Sequence, residues 1–386
     1  MLQNSIQMSD FDNQVKIGVV GGGQLGRMLQ QKAYSYGLDL AFIDPDRYAP
    51  SSAMSSWFYK GSLLDEELIY DFGCKRDVIT IEIENVNTNA LKRLEAEGKK
   101  VYPQPRVIEL IKDKGTQKEF YKNNNIPTAE YFLINNKEEL QLFKTELPFV
   151  QKLRTGGYDG KGVATINTEL DFANGFDAPC VLEKFVNFKK ELSVIVARNA
   201  SGEVKSFPCV EQEFSAEANL VEFLFSPATI NATIEEKAQR LAEEIITKLD
   251  MVGILAVELF LTQDDQLLVN EVAPRPHNSG HQTIEGNTES QYGQMLRCLL
   301  DLPLGDTSIV KPSAMVNLLG EKNYEGAAVY QGMEEVLKIK GVYVHLYGKK
   351  DTKPFRKMGH VTITGDTAEE VKEKANIVKN TLKVIA

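Results

Sequence analysis

"GILAVELFLTQDDQLLVNEVAP", residues 253–274, is the stretch on which the reading of this chain turns. Two apolar runs flank a polar centre, the pattern of an antiparallel hairpin. With Asp264 and Asp265 as a two-residue turn, positions whose numbers sum to 529 face one another, and Glu258 meets Glu271. The Cβ atoms of such a pair lie about 4.5–5.5 Å apart, and like charges directly opposite destabilise a sheet. Asp-Asp is a mediocre turn pair, so a longer loop with a shifted register is the alternative. Solvated surface glutamates fit poorly inside strands this apolar. A divalent cation between the two acids, bridging to phosphates, removes the conflict.

Upstream, "PFVQKLRTGGYDGKGVATI", residues 148–166, reads as strand, loop and strand, with four glycines in the seven residues 156–162. Such a loop is a flap whose N–H groups can fold over phosphates, and Lys152 near the end of the first strand can reach the same oxygens. "VLEKFV", residues 181–186, is a short strand that can offer backbone donors and acceptors to a purine edge. Glu191 is a nearby acid for ribose hydroxyls.

"KIGVVGGGQLGRM", residues 16–28, is a buried strand running into a helix. Gly21, Gly23 and Gly26 satisfy G-x-G-x-x-G, and Asp44 ends the next strand. That outlines a dinucleotide fingerprint, since glycines let a ligand approach and the helix N-terminus attracts an anion. A different phosphorylated molecule, or tight packing alone, uses the same geometry. Strands and helices alternate through the first hundred residues, which predicts a parallel sheet covered on both faces.

Length and composition bound the rest. A chain of 386 residues implies two or three domains, and 42% hydrophobic with 25% charged residues describes a soluble globular protein. The expected division is a tail at 1–14, a Rossmann-like domain at 15–112, and a central two-lobed domain at 113–303. Its small lobe spans about 113–186 and its large lobe about 187–303, followed by a small mixed C-terminal domain at 304–386. A formal charge of −10 argues against nucleic acid as a partner. Cys74, Cys180, Cys209 and Cys298 show no metal spacing, so a reduced, cytoplasmic protein is expected. The first fourteen residues lack the regions of a signal peptide, and no apolar run approaches the ~20 residues of a membrane helix.

The strand lysine, glycine flap, linker strand and late glutamate pair, followed by "NEVAPRPHNSGH", together resemble the ATP-grasp superfamily. Within it, "GGGQLGRM", "RTGGYDGKG" and "APRPHNSGH" look like the 5-(carboxyamino)imidazole ribonucleotide synthase family of purine biosynthesis, from about residue 15 onward. In that family the N-terminal glycine loop holds a ribonucleotide instead of a dinucleotide. The resemblance implies that Gln24, Leu25, Glu82 of "TIEIENV" and Asn278 contact aminoimidazole ribonucleotide. It places Lys114 and Lys152 on ATP phosphates, with Gly157, Tyr158, Asp159, Gly160, Lys161, Gly162 and Val163 closing over them. Glu183, Lys184, Phe185 and Val186 would frame adenine, Glu191 the ribose, and Asn270 would lie beside the nucleotide. Glu258 and Glu271 would bind magnesium. Some relatives carry Arg at the position of Lys114 and His at that of Glu211, a further ATP-site residue.

"YGKKDTKPFRKMGH", residues 347–360, places Lys349, Lys350, Lys353, Arg356 and Lys357 within nine residues of an acidic chain. Read alone it is a solvated loop or an anion site. By resemblance, Lys349, Arg356 and Lys357 grip the substrate's 5′-phosphate, folding back over the N-terminal domain. The implied reaction is ATP- and bicarbonate-dependent carboxylation of the substrate's exocyclic amine through carboxyphosphate. Arg275 and His277 would hold bicarbonate, and Tyr158 and Asp159 would orient the amine. Relatives are commonly homodimers, which is the expectation here. A formate-dependent relative acting on glycinamide ribonucleotide is the nearest alternative. It usually has Glu where this chain has Gln24, which suits an ammonium and not a neutral aromatic amine. A nicotinamide-dependent oxidoreductase explains residues 17–44 and leaves the flap, the glutamate pair and the basic segment unemployed.

Overall fold

A computed structural model describes residues 13–157, 162–214 and 220–386. The expected roles of Tyr158, Asp159, Gly160 and Lys161 fall outside these residues, as does the tail up to residue 12. The N-terminal part is a five-stranded parallel sheet in the order Trp57–Lys60, Ala41–Asp44, Ile17–Val20, Val78–Ile81, Lys100–Val101. Ile17–Val20 and Val78–Ile81 are buried at every position, which is why they read as continuous apolar runs without alternation. The strand order reverses between these two. In such sheets the crevice beyond the carboxyl ends at the reversal is where ligands enter. Gly21, Gly22, Gly23 and Glu82 stand there.

Next comes an antiparallel sheet in the order Tyr131–Ile134, Cys180–Lys184, Phe149–Leu153, Val163–Ile166, built around Phe149, Phe172, Leu140 and Leu182. Behind it lies a larger sheet in the order Leu267–Ala273, Gly253–Thr262, Phe188–Arg198, Val210–Phe214, Val221–Ser226, Ser313–Leu319, Lys357–Thr364, Val342–Leu346. Helix Ala232–Lys248 covers one face through Ile234, Ala238, Leu241, Ala242, Ile245 and Ile246, a helical-period stripe, and Asn231 caps it by accepting from Ile234 N at 2.9 Å.

The polar break near residue 304 does not interrupt this sheet. Ser313–Leu319 pairs with Val221–Ser226, Phe223 facing Val316, so the C-terminal segment extends the central ladder and covers what would be an exposed edge. It still has its own core, where Val371, Ala375 and Val378 of helix Ala368–Thr381 pack on Val316, Val361 and Ile363. Helix Lys114–Asn123 follows directly on helix Pro105–Lys112 and buries Tyr121 in the large-sheet core. Lys114 is therefore held between the domains.

Candidate active site

The hairpin does bring Glu258 opposite Glu271, by a route the turn argument misses. Its loop has three residues, 263–265, not two: Thr262 N donates to Gln266 O at 2.9 Å, and Asp265 takes the left-handed conformation at φ 64°. Next to the loop the register is accordingly one lower, with Leu261 facing Leu267 and Leu259 facing Val269. Continued unchanged, it would set Glu258 against Asn270. A bulge at Asn270 restores the offset, and Glu258 pairs with Glu271 and Val257 with Val272. A bulge also turns neighbouring side chains toward one face. Asn270 Oδ1 accepts from Lys152 Nζ at 2.8 Å, while Glu271 pairs with Lys114.

The two acids differ in charge state. Burial raises the Glu258 carboxyl above the usual carboxylate range, and Glu271 and Glu191 add to the effect. Lys114 holds Glu271 below that range against the opposing push of burial. A half-buried like-charge pair is eased in this way, with Lys114 favouring the charged form of one acid and burial the neutral form of the other. Two hard oxygen donors suit magnesium, which takes one or two carboxylates and completes its shell with water and phosphate.

Across from the hairpin, Lys152 Nζ lies 2.8 Å from Glu183 Oε2, and Lys118 Nζ lies 2.9 Å from Glu183 Oε1. Burial would raise the Glu183 carboxyl, but Lys152 and Lys118 overcome it and bring it down to about 2. Glu183 thus points into a buried ion cluster, while Lys184 pairs with Glu146 and Phe185 stands exposed, with Val186 next in the chain. Burial pushes Glu191 up to about 7. Glu211 pairs with Lys190 and accepts from Thr229 N at 3.2 Å. At the flap's base, Leu153 N donates to Gly162 O at 2.8 Å and Val163 faces Lys152, with Gly157 just before the undescribed tip. Arg154 grips Asp113 through two hydrogen bonds of 2.8 and 2.6 Å, and its carbonyl accepts from Lys114 N at 2.9 Å.

In the parallel-sheet crevice the glycines bring a carboxylate close. Gly22 N donates to Asp44 Oδ2 at 2.8 Å, and Gly23 N and Leu25 N donate to Glu82, the latter at 3.2 Å. A Cβ on Gly23 would press on the Glu82 carboxylate and push it back, so glycine here lets the acid come this close. The helix terminus that a pyrophosphate would occupy holds the protein's own acid instead. Burial pushes Glu82 up to about 7, with the N–H groups of Gly23 and Leu25 opposing. Gln24 opens the helix Gln24–Ala33 beside it.

Beyond the hairpin, Arg275 Nε reaches Glu84 Oε1 at 2.9 Å and ties the large lobe to the crevice. His277 Nδ1 lies 2.9 Å from Ser279 Oγ, and its Nε2 is 3.8 Å from Glu258 Oε1. Asn278 begins the short turn Asn278–Gly280. Further on, His281, His360 and His345 stack with ring centres 4.6 and 4.5 Å apart, linking this loop to the C-terminal strands. Burial, helped by neighbouring cationic groups, pushes His281 and His360 well below the ordinary imidazole value. In the basic segment, Lys349 Nζ donates to Lys357 O at 2.7 Å and Arg356 Nη1 to Asp351 O at 2.8 Å. Lys350 sits 5.0 Å from the centre of the Tyr48 ring, which lays this segment over the N-terminal domain.

Three regions match known families: a ribonucleotide synthetase preATP-grasp domain at 14–112, an ATP-grasp domain at 119–292, and a phosphoribosylaminoimidazole carboxylase C-terminal domain at 313–374. The N5-carboxyaminoimidazole ribonucleotide synthase of Bacillus subtilis is 38% identical over 361 residues, covering 92% of each chain. This chain belongs to that ATP-grasp family. The N5-carboxyaminoimidazole ribonucleotide synthetase from Thermotoga maritima superposes with a TM-score of 0.89 at 40% identity, covering 96% of this chain and 99% of the other. An Aspergillus clavatus synthase solved with ADP and 5-aminoimidazole ribonucleotide superposes at 0.87 with 34% identity over 95% and 99% of the two chains. Relatives from Vigna aconitifolia and Candida glabrata are longer, and this chain spans 67% and 65% of them. The family's fold, an N-terminal parallel sheet, a two-lobed ATP-grasp centre and a C-terminal mixed segment, is the one described above.

Four partners escaped the sequence reading. Glu84 and Lys118 pair with the candidates Arg275 and Glu183 far away in the chain, and Asp113 and Arg154 pair with each other beside Lys114. Only the i, i+2 spacing of Glu82 and Glu84 after a strand hints that both can serve one crevice.

Proposed function

We propose that this chain carboxylates the exocyclic amine of 5-aminoimidazole ribonucleotide, using ATP and bicarbonate and releasing ADP and phosphate. The observation that carries this is the convergence on one cleft of the Lys114, Lys152 and Glu183 cluster, the Glu258–Glu271 pair, and the Glu82 crevice joined to it by Arg275 and Glu84. Lys114 and Lys152 would exchange their acid partners for ATP phosphates, with Asn270 beside them. Phe185 and Val186 would line the adenine site with the Glu183–Lys184 backbone, and Glu191 would take the ribose. Glu211 would act by holding Lys190 at that rim. Magnesium bound by Glu258 and Glu271 would supply positive charge for the phosphate oxygens.

A bicarbonate oxygen attacks the γ-phosphorus of ATP, the bond to the β-phosphate oxygen breaks, and carboxyphosphate and ADP result. Arg275, with His277, would orient the bicarbonate, and Lys152 would stabilise the charge that develops. Carboxyphosphate is short-lived in water, so closure of the 156–163 flap would protect it. It breaks down to carbon dioxide and phosphate, and the amine attacks the carbon. The amine proton passes to Asp159 or to the released phosphate, and Tyr158 would orient the amine. Gln24, Leu25, Glu82 and Asn278 would hold the nucleotide, and Lys349, Arg356 and Lys357 its 5′-phosphate. Gln24 is uncharged, as a neutral aromatic amine requires.

The chain is also proposed to work as a homodimer in the cytoplasm. Its four cysteines form no disulfide, and no described helix is long and apolar enough to cross a membrane. The test is ADP release by purified protein with bicarbonate, with and without 5-aminoimidazole ribonucleotide, against formate with glycinamide ribonucleotide. Turnover only in the second pair would refute the proposal.

A further inference from the structure

Lys118 carries no assigned task in the motifs or the mechanism, yet its side chain is only 2% exposed. A lysine buried so deeply is costly unless its charge is matched and its donors are used. Its Nζ meets Glu183 Oε1 at 2.9 Å and Thr128 Oγ1 at 2.5 Å. The Thr128 hydroxyl donates to Val269 O at 2.7 Å. Val269 directly precedes Asn270, whose Oδ1 accepts from Lys152 at 2.8 Å, and Lys152 returns to Glu183 Oε2 at 2.8 Å. These contacts close a ring through the small-lobe strands Phe149–Leu153 and Cys180–Lys184, helix Lys114–Asn123, and the hairpin that carries Asn270 and Glu271. With two lysines on one carboxylate the ring bears a net positive charge, the sign an entering phosphate needs.

We propose that Lys118 is a positioning residue for nucleotide binding: it claims one oxygen of Glu183, leaves only the other for Lys152, and anchors the bulged strand through Thr128. This rests on the reading of the cleft as an ATP site. Without Lys118, both Glu183 oxygens are open to Lys152, a tighter pair that draws the lysine away from phosphate. The effect therefore runs through Glu183, which separates it from a general packing role.

The experiment is a double-mutant cycle of Lys118→Met and Glu183→Gln, read by titration with a fluorescent ADP analogue in magnesium and by KM for each substrate. Lys118→Met alone should raise the dissociation constant and the KM for ATP about tenfold or more, leaving the KM for the ribonucleotide within about threefold. In the Glu183→Gln background the same substitution should change nucleotide affinity less than about twofold, because the competing carboxylate is gone. The double variant removes both members of the Lys118–Glu183 pair and leaves Lys152 on Asn270 Oδ1, so it also covers the case in which Lys118→Met does not fold. Thr128→Val, which removes only the hydroxyl anchor, should weaken nucleotide binding severalfold. Additive losses in the cycle, or unchanged affinity in Lys118→Met, would overturn the proposal. Bicarbonate-dependent turnover is scored on the wild type, so a failure of the carboxylase reading shows up apart from the nucleotide titration.

Discussion

Replacing Glu258 by glutamine should make the ligand-free protein more stable while removing its magnesium-dependent activity. Glu258 and Glu271 are direct cross-strand partners, and two charges about 5 Å apart at an effective dielectric of about 20 repel by about 3 kcal/mol. The sign with pH follows from the raised carboxyl of Glu258. The folded chain keeps a proton that the unfolded chain gives up near pH 4.5, so stability is lost as pH rises from there through the folded value. The glutamine variant, with no proton to release at this position, has no such loss. In EDTA its melting advantage should be near zero at pH 5 and grow to several degrees by pH 8.5, since about 1 kcal/mol moves the midpoint of a domain of this size by roughly 2–4 °C. Magnesium with ADP should raise the wild-type midpoint and leave the variant's almost unmoved, and ADP release should fall at least about a hundredfold. An advantage equal at pH 5 and pH 8.5, or magnesium-dependent turnover near wild type, would refute the reasoning.

Arg275→Ala should abolish bicarbonate-dependent ADP release, and Glu84→Gln, which loosens the 2.9 Å tie on that arginine, should lower kcat about tenfold with little change in ATP affinity. Arg356→Ala should raise the KM for the ribonucleotide about thirtyfold or more at low salt, with the KM for ATP unchanged, as steady-state kinetics with each substrate varied would show. His360 is held well below the ordinary imidazole value, so the folded chain binds fewer protons than the unfolded chain below about pH 6.5 and the wild type loses stability as pH falls. Against His360→Gln, denaturant melts should show the wild type losing up to about 1.4 kcal/mol per pH unit between pH 6.5 and 5.5.

Features set by local pattern were legible in the residues alone. The apolar runs at 17–20 and 78–81, the strands at 149–153 and 163–166 on either side of the glycine loop, and the hairpin at 253–273 each occupy the element their residues suggest. The facing glutamates were legible only because two errors in the register argument cancel: the loop has one residue more than assumed, and the bulge at Asn270 takes it back. Neither is written in composition, since Asp265 in a left-handed conformation and Asn270 in a bulge are allowed but not dictated by residue type. The pairs Arg275–Glu84, Arg154–Asp113 and Lys118–Glu183 join distant segments, and no periodicity encodes a partner at that range. The pairing of 313–319 with 221–226 was hidden for the same reason, behind a polar stretch that looks like a domain boundary.

Four of the groups proposed to meet a ligand already have a partner within the chain. Lys114 holds Glu271, Lys152 holds Glu183 and Asn270, Arg275 holds Glu84, and the N–H groups of Gly23 and Leu25 hold Glu82. Buried charge without a partner costs several kcal/mol, so a cleft able to bind a triphosphate must neutralise itself when free. Binding is then an exchange of partners, and its net free energy is a difference between ion pairs. The exchange is also ordered. Phosphate that takes Lys114 leaves Glu271 ionised beside Glu258, which is the condition under which the hairpin most needs a cation. Nucleotide and magnesium should therefore bind with positive coupling, each affinity rising by the same factor when the other is present. Calorimetric titration of each at fixed levels of the other checks this, and independent affinities would mean that the lysine–glutamate pair is not opened by the nucleotide.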